Sequence, residues 1–184
     1  MCPVRLSAGL ALLLLLAAAQ SSPDPFGGIP NLDIGAYEVA GTSPAAIRKD
    51  MDAKRPADPN DGTPVDSVAH WNYRWRLQWR PDGGCAAEVT FSGTVRLPHL
   101  VDDPKRAGSV TARWNRYMAA LRTHESGHVR FAWDQAGRLR ATLEAGSCDV
   151  ANAAGQRVLE DIRRHDVEYD RETGHGRKQG AVFP

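Results

Sequence analysis

The chain has 184 residues, a formal net charge of +1, three cysteines and 42% hydrophobic residues. Charge this evenly balanced excludes a nucleic-acid binder or an anionic-membrane binder that works by electrostatic attraction. The length suits one domain with a real core.

Residues 1–19 read as a secretory signal peptide. Arg5 precedes the apolar run "LALLLLLAAA" (10–19), and Ala17 and Ala19 give a small-x-small cleavage pattern. The run is too short to span a bilayer comfortably, and no later stretch is long and apolar enough for a membrane helix. Cleavage removes Cys2 and Arg5 and leaves a neutral mature chain in a secreted or periplasmic setting. Cys85 and Cys148 remain there, and an oxidising compartment favours their pairing as a disulfide.

Residues 20–35 are rich in Pro and Gly and read as a mobile lead-in to a single domain over 36–184. "AYEVAG" (36–41) is a short strand candidate. Ser43 as N-cap and Pro44 at the first helical position start a short helix. Residues 55–66 carry three prolines and no apolar period, so they read as a loop. In "HWNYRWRLQW" (70–79), Trp71, Tyr73, Trp75 and Leu77 alternate with polar residues, the period-two mark of a half-buried strand. "PDGG" supplies a turn, and residues 85–98 return as a second strand with Ala87, Val89 and Phe91 on one face. From about residue 109 the period becomes helical through Trp114, Leu121, His128, Leu139 and Leu143, one long helix ending at Gly146. A second helix is expected over 149–167, followed by an irregular tail from Tyr169 onward. Strands first and helices after give an α+β fold, here a small antiparallel sheet on a long helix and a second C-terminal helix.

The long helix carries His124-Glu125-x-x-His128. Residues four apart lie about 40° from each other around a helix, so both imidazoles can reach one metal ion. Neutral imidazole suits zinc. Glu125, rotated about 100° from His124, stands beside such an ion, where it can take a proton from a water whose pKa the metal lowers toward about 7. That is the equipment of metal-assisted amide hydrolysis. Zinc needs a third ligand, and the glycine and histidine that extend the motif in one zincin class are absent, with Phe131 and Asp134 in their places. Glu144 is too far along the same helix, Glu160 has neighbours that turn it to solvent, His165 lies on the second helix's apolar stripe, and His175 sits between two glycines.

Several blocks in order carry a family resemblance: "YEVAGTSPAAI" (37–47), Trp71, Tyr73 and Cys85 in the hairpin, "LP" at 97–98, "W-x-x-Y-x-x-x-L-x-x-H-E-x-G-H" (114–128), Cys148, and "YD-x-x-T-x-HG" (169–176). Together they resemble the bacterial predicted secreted zinc-dependent proteases, a family catalogued as a domain of unknown function. The resemblance implies a zincin-like metallopeptidase with zinc as cofactor and a peptide or protein as substrate. The tail block centres on His175, which ranks first as third ligand. Asp170 ranks second, as a ligand or as an orienting partner of a histidine, and His165 third. Tyr169 is the candidate hydroxyl donor to the substrate oxyanion. Two rival functions stay open: a zinc hydrolase of another amide such as a cell-wall peptide, and a non-catalytic exported module with structural zinc. Nothing in the sequence specifies an oligomeric state.

Overall fold

The computed structural model describes residues 24–59 and 61–184, so the signal-peptide expectation for 1–19 lies outside the described residues. In chain order the elements are β1 (Leu32–Val39), α1 (Pro44–Asp52), β2 (Val68–Trp79), β3 (Cys85–Leu100), α2 (Gly108–Asp134), α3 (Ala136–Glu144), α4 (Cys148–Thr173) and a 3₁₀ turn, Arg177–Gln179. The fold is α+β. Among the described residues no helix is long and apolar enough to cross a membrane.

β2 and β3 form the antiparallel hairpin, with Tyr73 opposite Phe91 and Trp75 opposite Val89. The alternation of "HWNYRWRLQW" places Tyr73 in the core and Arg74 in solvent. Tyr73 closes the packing by donating its hydroxyl to Ala132 O on α2. The sheet order is β1-β3-β2, and β1 runs parallel to β3 with Ala36 beside Leu97. The sheet is therefore mixed rather than purely antiparallel. A parallel neighbour needs a long connection, and α1, the 55–66 loop and β2 together provide it. Ser43 and Pro44 open α1 as the sequence leads one to expect, with Ser43 Oγ accepting from Ala46 N.

Three boundaries move, one of them the end of the second expected helix, since α4 runs past 167 to Thr173 and takes in Tyr169 and Asp170. β1 starts at Leu32, and Phe26 and Ile29 before it are buried in the core. Part of the expected lead-in is thus tied to α2: Arg130 donates to Pro25 O and Gly27 O, and Arg122 pairs with Asp24 and lies over the Phe26 ring. The expected single long helix breaks at Gln135, where α2 gives way to α3. The break lets Leu139 and Leu143 sink fully into the core, and it carries Glu144 to where its carboxylate accepts from Ala87 N on β3.

Cys85 and Cys148 form a disulfide joining the start of β3 to the first residue of α4, across 63 positions of sequence. Closing a loop of that size stabilises the fold by about 4 kcal/mol in the chain-entropy model. The paired Cys85→Ala and Cys148→Ala variant is expected to lose about that much in equilibrium urea unfolding. A loss below about 1 kcal/mol would show that the cross-link adds little to what packing already holds.

Candidate metal centre

α2 carries His124, Glu125 and His128 into the interior, all less than 9% exposed. The last turns of α4 meet them there. The approach is close because position 127 is glycine: a Cβ at that position would stand 2.5 Å from the Tyr169 hydroxyl oxygen. Asp170, one residue further on, faces both histidines. Its Oδ1 lies 3.1 Å from His124 Nε2 and 3.1 Å from His128 Nε2. These three donor atoms all lie within 4.8 Å of one another.

The opposite nitrogens are held from behind. His124 Nδ1 donates to Gln179 Oε1 at 3.0 Å, and His128 Nδ1 donates to Asp166 Oδ1 at 3.1 Å. Asp166 is fixed in turn by Trp71 Nε1, which donates to its other oxygen at 2.6 Å. Partners of this kind assign the proton to Nδ1 and leave Nε2 as the coordinating atom, the outer arrangement expected around metal-bound histidines. Zinc bonds of about 2.0–2.2 Å set a tetrahedral edge of about 3.4 Å. The two 3.1 Å separations are within a few tenths of it, so the donor set fits zinc in number, chemistry and spacing.

The electrostatics agree. Burial works against charge on Asp170, but hydrogen bonds from His124 and His128 outweigh it and hold the carboxyl well below the usual range. Burial likewise opposes charge on His128, yet the Asp166 and Asp170 carboxylates prevail and push it up to about 10. A proton held on His128 thus offsets buried negative charge. Glu125 differs: burial dominates and pushes its carboxyl up, against the Ser67 hydroxyl and the two imidazoles. Ser67 Oγ donates to Glu125 Oε1 at 2.5 Å. His124, Glu125, His128 and Asp170 all border one cleft of about 850 Å³, whose other walls include Trp71 and Val182.

The candidate residues from the sequence do not all converge. His175 borders the cleft, half-exposed at 52%, with Nδ1 3.5 Å from Asp170 Oδ1. It groups with Asp58 and Asp170, and the group containing both motif histidines is completed by the same Asp170. Tyr169 stacks flat on His124, with ring centroids 5.0 Å apart, and its hydroxyl accepts from Gln179 Nε2. Tyr169 thus buttresses the His124 ring. His165 stacks between Phe131 and Tyr169, outside the donor group. Gly176, with φ of 75°, lies against His124, where a Cβ would come within 3.0 Å of the His124 Cβ and Cγ atoms. That contact lets the tail cross α2 and deliver Gln179.

Asp166, Gln179 and Ser67 were missed from sequence. Asp166 and Asp170 did leave a signal, since they repeat on α4 the four-residue step of His124 and His128 on α2. Gln179 and Ser67 left none, being single polar residues in irregular segments.

Set against proteins of curated function and against solved structures, the chain matches none. A family profile does match, over residues 34–176, from β1 to the glycine that packs on His124. The chain belongs to that family, described as "Bacterial protein of unknown function (DUF922)".

Proposed function

We propose that this protein is an exported zinc-dependent hydrolase of zincin-like design, acting on peptide bonds. The observation that carries the reading is the meeting of two imidazole Nε2 atoms and one carboxylate oxygen at a buried point that opens on a cleft, with a buried carboxylate beside them. His124, His128 and Asp170 hold the metal. Bound there, zinc supplies an acidified water and a Lewis acid for the substrate carbonyl. Glu125 accepts the proton of the attacking water and returns it to the leaving amine nitrogen. Asp166 and Gln179 fix the tautomers and ring planes of the two histidines, and Tyr169 fixes the His124 ring by stacking. A cleft of this volume accommodates several residues of an extended chain. The disulfide is compatible with an oxidising compartment, and export accords with it.

Elemental analysis of protein purified without chelator is expected to find about one zinc per chain. Chelation is expected to abolish hydrolysis of an unfolded protein substrate, and zinc to restore it. Running peptidoglycan fragments in parallel separates a peptidase from a cell-wall amidase. A chain that neither retains zinc nor takes it up would end this reading.

A further inference from the structure

We infer that Ser67 is a positioning residue for Glu125, presented by a loop that three other elements pin in place; this rests on Glu125 being the proton acceptor proposed above. Ser67 lies just before β2, is 6% exposed, and reaches 58 residues along the sequence to Glu125. Among the described residues its hydroxyl is the one hydrogen-bond donor on that carboxylate. A hydroxyl has a single proton. Spent on Oε1, it fixes the plane of the carboxylate and leaves the other oxygen to receive a proton from water.

The residue beside it is held far more firmly than an ordinary loop position. The Asp66 carboxylate accepts two hydrogen bonds from Arg48 of α1, at 2.9 and 2.7 Å, and one from the Tyr117 hydroxyl of α2 at 2.8 Å. Its backbone carbonyl accepts from the Tyr37 hydroxyl of β1 at 2.8 Å. Further back, Val65 N donates to Pro56 O, and Ala57 bridges Pro64. Tyr117 lies two turns before Glu125 on α2, so one helix both anchors the loop and bears the group the loop serves. Three elements, α1, α2 and β1, therefore fix Ser67 relative to Glu125. Hydrogen bonds to both Asp66 oxygens and to its carbonyl make a rigid support, and the object it supports here is a carboxylate that must present one oxygen in one direction.

The test is Ser67→Ala beside Ser67→Thr, which keeps the hydroxyl. Ser67→Ala is expected to lower kcat roughly ten- to a hundredfold, the range for losing a hydrogen bond to a charged group. KM is expected to stay within about twofold and zinc affinity unchanged, because no ligand is touched. Ser67→Thr is expected to recover most of the rate. On a Glu125→Gln background, Ser67→Ala is expected to have no further effect, since the group it positions is already gone. A wild-type kcat in Ser67→Ala, an additive loss on the Gln background, or a loss of zinc would each overturn the inference. A crystal structure of Ser67→Ala tests it without activity: the Glu125 carboxylate is expected in more than one orientation, and an unmoved carboxylate counts against it. If the wild type holds zinc and hydrolyses nothing, the functional reading fails, and the crystal structure still decides what Ser67 does.

Discussion

Asp170→Ala is expected to weaken zinc binding by more than about a hundredfold, beyond the loss usual for an outer-shell residue. Its Oδ1 is the atom both motif histidines share, and its removal leaves two imidazoles, half of a tetrahedral shell. His175→Ala is expected to change the affinity by less than about threefold, because the ring stands half in solvent, outside the group that contains both histidines. Competition against a chelating dye of known affinity measures both, and circular dichroism confirms that helix content survives. The reverse pattern, zinc kept by Asp170→Ala and lost by His175→Ala, would return the third ligand to the tail. The pH dependence carries its own sign. His128 is pushed up to about 10 in the metal-free chain, so zinc must displace its proton. Apparent affinity is therefore expected to rise with pH through the neutral range and to fall in acid.

The proposed preference for Asp170 over His175 turns on a stretch where hydrophobic periodicity gives out. The first half of the site is legible because His124 and His128 sit on a helix whose apolar residues keep a regular period. The second half is not. α4 runs to Thr173, and Gly174 in the left-handed region caps it, but "VEYDRET" has almost no apolar residues with which to keep a period. The inner face of that stretch, Tyr169 and Asp170, is half-buried against two imidazoles and a tail amide. Hydrophobic periodicity fades where a helix is held by polar contacts, so the expected helix ends at 167, which keeps Asp166 inside it and leaves Asp170 in an expected tail. Elsewhere local rules suffice: the Ser43–Pro44 helix start, the alternating hairpin and the cysteine pair all stand. The lead-in misleads for a different reason. Pro and Gly describe its backbone, while Phe26, Ile29 and the Arg130 contacts decide its packing, and those partners lie about a hundred residues away.

Glu125→Gln is expected to retain zinc and lose hydrolysis by two or more orders of magnitude, the range for removing a general base. The side chains match in shape, and Gln can still accept the Ser67 hydrogen bond through its carbonyl oxygen. What it cannot do is take a proton from water. The variant also separates the cost of the site from its use. Burial dominates at Glu125 and pushes its carboxyl above the usual value. A carboxyl raised in this way binds protons more tightly in the folded chain than in the unfolded one. Its ionisation therefore costs stability as pH climbs above the unfolded value, and at neutral pH the folded protein carries that cost. A neutral amide removes it, so the metal-free Gln variant is expected to unfold at the wild-type temperature or above it at pH 7, and to lose the advantage in acid. Zinc content, kcat on a verified substrate and thermal unfolding at two pH values give the full comparison. Hydrolysis at the wild-type rate would remove Glu125 from the mechanism. A lower unfolding temperature at pH 7, with zinc stripped from both proteins, would mean that the carboxylate holds the fold together and is not being held by it.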